Sequence, residues 1–151
     1  MLERFWFTVL GPVQAWRGER EVDLGSPQQR AVLALLLARA GEPVTIAEIV
    51  DTLWWQGAPQ SAVNTVHRSI GQLRRALEPH LAARETGGWL VRAGGGYRLQ
   101  ADAASADLVR FRDLVERARV SRADAVDCYA QALGLWRGAV AAIRTAARAI
   151  R

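Results

Sequence analysis

The stretch that decides the fold is residues 61–77, SAVNTVHRSIGQLRRAL. Its apolar residues recur at helical spacing and fall on one narrow stripe of an α-helix: Val63, Val66, Ile70, Leu73 and Leu77. The opposite face and its shoulders carry basic and hydrogen-bonding side chains without a carboxylate: Asn64, Thr65, His67, Arg68, Gln72, Arg74 and Arg75. Such a face suits a helix in the major groove of DNA, where phosphates flank the helix and base edges face it.

A basic face on an isolated helix is more often a solvated surface, so the neighbouring elements decide between the two interpretations. Two helices are predicted upstream. Ser26, Pro27 and Gln29 are typical of a helix start, and this first helix is expected to end before Gly41. Residues 45–48 form a second capping-box pattern before another amphipathic helix. Ser61 is expected to cap the third helix, which residues 78–79, Glu-Pro, end.

Strand patterns flank these three helices. The first 25 residues contain three short β-prone runs, which predict a small antiparallel sheet. Residues 89–91 and 97–99 are two further β-prone runs joined by RAGGG, which predict a hairpin. Sheet, three helices and hairpin together predict an α+β winged helix-turn-helix domain over residues 1–100.

Residues 101–151 have a different, helical character. Two amphipathic helices are predicted, one with its apolar side around Leu114 and one that starts at Ser121 and turns Cys128, Tyr129 and Trp136 inward. This α-helical hairpin resembles a single tetratricopeptide-like unit, which cannot bury its own apolar face. We therefore expect it to pack on the first domain, to pair with another chain, or to be a fragment. Residues 138–151 form a basic tail.

Composition narrows the function classes. The 151 residues carry 20 basic side chains, all arginine, against 15 acids, and a net charge of +5 suits a polyanionic partner. We find no apolar run of about 18 residues, the length that crosses a membrane. The sequence has one cysteine and two histidines, too few to suggest a metal site. It shows no nucleophile–base arrangement either, so no cofactor and no enzymatic activity are predicted. The sequence predicts a cytoplasmic, non-enzymatic protein.

Several side chains have two open interpretations. The triple glycine at 94–96 is interpreted as a hairpin tip, because it lacks the Lys-Ser/Thr ending of a phosphate-binding loop. Arg92 and Arg98 flank this tip, and each is expected either on DNA or in solvent. Four tryptophans are expected in the core: Trp6, Trp54, Trp89 and Trp136. Trp55 lies outside the apolar stripe of its helix and is expected to be an exposed loop residue that is available to a partner.

With these residues in hand, the chain resembles the Streptomyces antibiotic regulatory proteins, which join an OmpR/PhoB-type winged helix to a bacterial transcriptional activation domain. The similarity runs nearly continuously from residue 5 to residue 138. The matching pieces are FTVLGPVQAW, VDLGSPQQRAVLALLLARAG, IVDTLW, SAVNTV, QLRRAL, GGGYRL, ADLVRFRDL and ALGLWRG. Their order and spacing make the resemblance specific, although no single piece would.

The resemblance implies an activator of an antibiotic biosynthesis cluster that binds direct repeats in double-stranded DNA as a homodimer and recruits the RNA polymerase holoenzyme. The 61–77 helix would enter the major groove and the hairpin between Arg92 and Arg98 the minor groove. Gln72 stands where the family commonly has arginine. The loop implied to contact polymerase consists of Trp55, Gln56, Gly57, Ala58, Pro59 and Gln60. Two alternatives remain, a helical-repeat adaptor that binds protein and a truncated form that occupies DNA without activating.

Overall fold

A computed structural model describes residues 4–80 and 88–138 of the chain. It begins with a three-stranded antiparallel sheet, as predicted, of β1 (Phe5–Thr8), β2 (Gln14–Arg17) and β3 (Arg20–Glu21). Phe5 and Phe7 face inward from β1. Trp6 lies between them on the other face and is half-buried, so its expected place in the core is wrong. Successive residues of a strand point to opposite faces, which explains the difference.

Three helices follow: α1 (Pro27–Ala38), α2 (Ile46–Leu53) and α3 (Ala62–Leu77). Both predicted capping boxes are present. The N–H of Gln29 donates to the Ser26 hydroxyl, and the N–H of Glu48 donates to the Thr45 hydroxyl. Ser61 is the N-cap residue of α3 but makes no side-chain cap hydrogen bond. Its carbonyl instead accepts from the Thr65 hydroxyl at 2.9 Å.

A second sheet closes the domain, in the strand order β4 (Val44–Thr45), β6 (Gly96–Leu99), β5 (Leu90–Ala93). Strand β4 was not predicted. Gly94 and Gly95 both have positive φ, which is the backbone of the two-residue hairpin turn. A Cβ on Gly96 would lie against the Val44 carbonyl oxygen of β4. The triple glycine therefore forms a tight, closely packed hairpin.

The core lies where α1 and the buried stripe of α3 meet the two sheets. Val66, Ile70, Leu73 and Leu77 are all buried, as predicted. Val63 is 46% exposed, because it lies in the first turn of α3 at the margin of the stripe, so its predicted burial is wrong. These elements form the winged helix-turn-helix arrangement that the sequence predicts.

Two helices follow the second sheet, α4 (Asp107–Val120) and α5 (Ala125–Gly134). They pack through a small cluster of Leu114, Ala118, Cys128 and Ala132. Ser121 is the C-cap of α4 and does not start α5 as predicted. Of the side of α5 expected to be apolar and buried, Cys128 and Ala132 are buried as predicted, whereas Tyr129, Leu133 and, just beyond the helix, Trp136 are exposed. The likeness to a tetratricopeptide unit stays a prediction, as does a domain boundary at residue 100.

A buried carboxylate fastens the helix pair to the first sheet. Asp107, the first residue of α4, accepts the N–H of Val9 at 3.0 Å and that of Leu10 at 2.9 Å. Beside it, the Phe7 N–H donates to the Ser105 carbonyl at 2.7 Å. Burial raises the pKa of the Asp107 carboxyl, while the N–H groups of Leu10 and Val9 act in the opposite direction. Polar contacts as well as packing therefore hold the start of α4 against the first sheet.

We expect Asp107→Asn to lower the free energy of unfolding by about 2 kcal/mol. Both carboxylate oxygens accept backbone N–H groups, and the amide replaces one of these acceptors with an NH2 donor. Asp113→Asn is the matched control, since it removes the same charge from an exposed position on the same helix. Urea unfolding of the three chains measures the difference. Equal stability of the Asp107 and Asp113 variants would show that this contact does not hold the helix pair in place.

Candidate nucleic-acid interface

The exposed face of α3 is set by what the helix buries. Ser69 and the apolar stripe face the core, so Asn64, Arg68 and Arg75 point the opposite way. Gly71 lies among them, and a Cβ there would contact nothing within 4 Å. No acidic residue occurs between positions 62 and 77. The face therefore offers donors and positive charge to a partner.

The predicted site residues on α3 divide into free and engaged groups. Asn64, Arg68, Gln72 and Arg75 have no side-chain hydrogen bond or ion pair with any residue in the described ranges. Asn64, Arg68 and Arg75 are exposed, and Gln72 is half-exposed. These four side chains are available to a ligand without breaking an internal contact.

Tyr97 of β6 holds the remaining shoulder of α3 against the hairpin. Its buried hydroxyl lies 2.6 Å from Nδ1 of His67, and the two rings meet edge to face. The Arg74 guanidinium lies over the Tyr97 ring at 5.6 Å and donates to the Leu90 carbonyl at 3.2 Å. Arg74 therefore has internal partners on the hairpin, and its predicted contact with DNA stays a prediction. His67 keeps its other ring nitrogen, Nε2, for a ligand.

The two hairpin arginines differ in their surroundings. Arg92 is the cross-strand partner of Tyr97, so both side chains are on the face of the hairpin that looks towards α3. It is exposed and lines a cleft of about 420 Å³ together with His67, Ile46 and the glycine turn. Arg98 is paired with Val91 on the other face, where it is half-buried and its guanidinium lies 3.5 Å from the Gln100 side chain. Of the two, only Arg92 shares a cleft with α3.

Arg17 of β2 anchors the other end of α3, a contact that the sequence analysis missed. Its guanidinium donates to the carbonyls of Ala76 and Leu77, at the end of the helix where carbonyls lack helical partners. It also lies over the Phe5 ring. A single arginine in a strand carries no local signal for such a long-range contact. Arg17 and Tyr97 together fix the orientation of the exposed face of α3.

The loop between α2 and α3 lies beside the start of that face. Residues 55–60 are all exposed, and Trp55 is exposed over 55% of its surface. The loop is shaped by two backbone hydrogen bonds, from Gly57 to the Trp54 carbonyl and from Ala62 to the Pro59 carbonyl. The large indole therefore stands in solvent in the loop that joins α2 to α3.

Other kinds of site have no support within residues 4–80 and 88–138. No group of three His, Cys, Asp or Glu side chains there is close enough to hold a metal ion. None of the helices in those ranges is both long and apolar enough to cross a membrane.

Comparison with known proteins agrees with this geometry. The family model described as "Transcriptional regulatory protein, C terminal" matches residues 19–99. The chain is 39% identical to the regulatory protein AfsR of Streptomyces griseus, over 87% of this chain and 13% of AfsR. It is 36% identical to the transcriptional regulatory protein MoaR1 of Mycobacterium tuberculosis, over 89% of this chain and 44% of MoaR1. The chain thus spans less than half the length of these relatives.

A solved structure is similar over nearly the whole chain. Mycobacterium tuberculosis EmbR, in complex with a low-affinity phosphopeptide, superposes with a TM-score of 0.78 at 30% sequence identity. The match covers 99% of this chain and 40% of EmbR. The chain therefore belongs to the family of transcriptional regulatory proteins that share this C-terminal domain, and its membership of the Streptomyces antibiotic regulatory protein family is confirmed.

Proposed function

We propose that the chain is a sequence-specific DNA-binding regulator that activates transcription of a biosynthetic gene cluster. One observation carries this proposal, the acid-free face of α3 with four side chains that have no partner in the described part of the chain. Neutral or charged donors without internal partners are what a helix needs to contact base edges and phosphates. A cytoplasmic location follows from the proposal, since the chromosome is the target.

On DNA, the first half of α3 would face the base edges. Asn64, Thr65, His67 and Arg68 lie in the first two turns, which are nearest the bases in helix-turn-helix complexes. Arg75, in the last turn, would contact a phosphate, while Arg74 would keep α3 attached to the hairpin. Arg92, on the α3 side of the hairpin, is better placed for the adjacent groove than Arg98. Binding to direct repeats as a homodimer is part of the same proposal.

Activation would go through the α2–α3 loop. Trp55 is the large exposed apolar side chain of residues 55–60, and exposed aromatic residues are frequent anchors in protein interfaces. Its position in the loop between α2 and α3, outside both helices, would keep it free while α3 occupies the groove. We propose RNA polymerase holoenzyme as its partner.

A second candidate function rests on α5. Val126 is 80% exposed and Leu133 is 69% exposed, and they lie on a helix that belongs to a tetratricopeptide-like pair in our interpretation. An adaptor that binds protein through this face is the alternative. A regulator that occupies DNA without activating is the other alternative, and it differs from the main proposal only in its contact with polymerase.

We expect Arg68→Ala to reduce sequence discrimination. If the guanidinium contacts guanine O6 and N7 together, the loss on a specific site is about 1–3 kcal/mol, and the loss on scrambled DNA is much smaller. Mobility-shift titrations of both duplexes at one salt concentration measure the ratio. A similar loss on both duplexes would instead assign Arg68 to a phosphate.

Arg75→Ala should weaken binding to every sequence alike and lower the slope of log K against log salt by about 1, because one phosphate contact releases about one counterion. The thermal stability should not change, since Arg75 is exposed and unpaired in the described residues. Arg74→Ala is the matched control and has the reverse expectation. It should lower the melting temperature because it removes the hydrogen bonds to Leu90. An unchanged salt slope in the Arg75 variant would contradict the phosphate assignment.

Trp55→Ala should abolish activation of a promoter that carries the binding site and leave affinity for the site unchanged. Val126→Ala removes an exposed apolar side chain from α5 and should change neither quantity. Transcription assays with purified polymerase and binding titrations on the same duplex test both variants. Loss of activation in the Val126 variant alone would favour the adaptor.

A further inference from the structure

Three free side chains of α3 lie in one row along the helix. Asn64, Arg68 and Gln72 are spaced four residues apart, which places each about 6 Å from the next along the axis. The row runs along the shoulder away from the hairpin, because His67 and Arg74 occupy the opposite shoulder against Tyr97. It is the part of α3 that the hairpin leaves open.

Gln72 is the last member of this row, nearest the C-terminal end of α3, and it is uncharged. Its amide has no hydrogen-bond partner among residues 4–80 and 88–138, and the side chain is half-exposed. A phosphate offers only acceptors and negative charge, which an arginine satisfies better than a neutral amide. The major-groove edge of adenine offers one acceptor, N7, and one donor, the N6 amino group. A glutamine amide carries the matching donor and acceptor on one planar group.

Resting on the proposed function, we propose that Gln72 recognises an adenine in the major groove by donating to N7 and accepting from the N6 amino group. Guanine presents two acceptors on the same edge, O6 and N7, so it can satisfy only the donor half of the amide. Arg68, one turn earlier in the row, is suited to guanine by the same comparison. Gln72 is therefore a specificity-determining residue, and its base lies next to the one that Arg68 contacts or one base pair further.

The first test selects binding sites from random duplexes with the full chain. The wild type should enrich one motif, and Gln72→Arg should change a single position of it from adenine to guanine. Gln72→Ala should lose the preference at that position alone. Arg75→Gln, which exchanges the same two functional groups three residues away, is the matched control and should retain the wild-type motif with weaker binding.

The second test replaces one nitrogen atom of the DNA, N7 of the adenine, with a C–H group. Replacement of that adenine by 7-deazaadenine eliminates the N7 acceptor and should weaken wild-type binding on the order of 10-fold, the range of a good bidentate contact. The Gln72→Ala chain should bind both duplexes equally. This comparison separates a direct base contact from an effect of Gln72 on the shape of the site.

The outcomes distinguish this inference from the proposed function. A wild-type chain that enriches no motif and shows no salt-dependent binding contradicts the proposed function itself. A clear wild-type motif that the Gln72→Arg and Gln72→Ala chains both retain overturns the role of Gln72 and leaves DNA binding intact. A shift at one position, together with insensitivity of the alanine variant to 7-deazaadenine, supports it.

Discussion

The contact of Tyr97 with α3 is the interaction on which the candidate site depends. The Tyr97 hydroxyl shares a hydrogen bond with Nδ1 of His67, and the Tyr97 ring lies under the Arg74 guanidinium. The same guanidinium donates to the Leu90 carbonyl. The Tyr97 ring is buried, whereas His67 is exposed, so these contacts lie where the core meets the surface. They fix the hairpin relative to α3. The proposed DNA-binding surface, composed of both elements, depends on this contact for its shape.

Arginines that are close in sequence differ in whether they have an internal partner. Arg74 and Arg75 are neighbours on α3, yet a rotation of about 100° between them turns one towards Tyr97 and the other into solvent. Arg92 and Arg98 are separated in the same way by the alternation of a strand. Within the described ranges, the internal partners take one arginine of each pair and leave the other available. This division is the physical reason why our proposal places Arg75 and Arg92 on DNA and leaves Arg74 and Arg98 on their internal partners.

The features predictable from sequence are those with a local cause. The burial of Val66 and Ile70 follows from helical periodicity, and the starts of α1 and α2 follow from their capping boxes. Strand β4 has only two residues, too few for any periodicity, and forms because β6 supplies its hydrogen bonds. Val63 and Leu133 have apolar helical positions, but none of the described elements covers them, a fact that depends on tertiary structure. The partners of Arg17, Tyr97 and Asp107 lie far away in sequence, so no pattern announces them.

The central claim is that α3 and the inward face of the hairpin form one surface for DNA. Backbone amide chemical-shift mapping during titration with a duplex that contains the binding site tests this most directly. The account predicts perturbations concentrated at residues 63–75 and 92–96, with the amides of α5 unchanged. Perturbations confined to α5, with α3 unaffected, would contradict it.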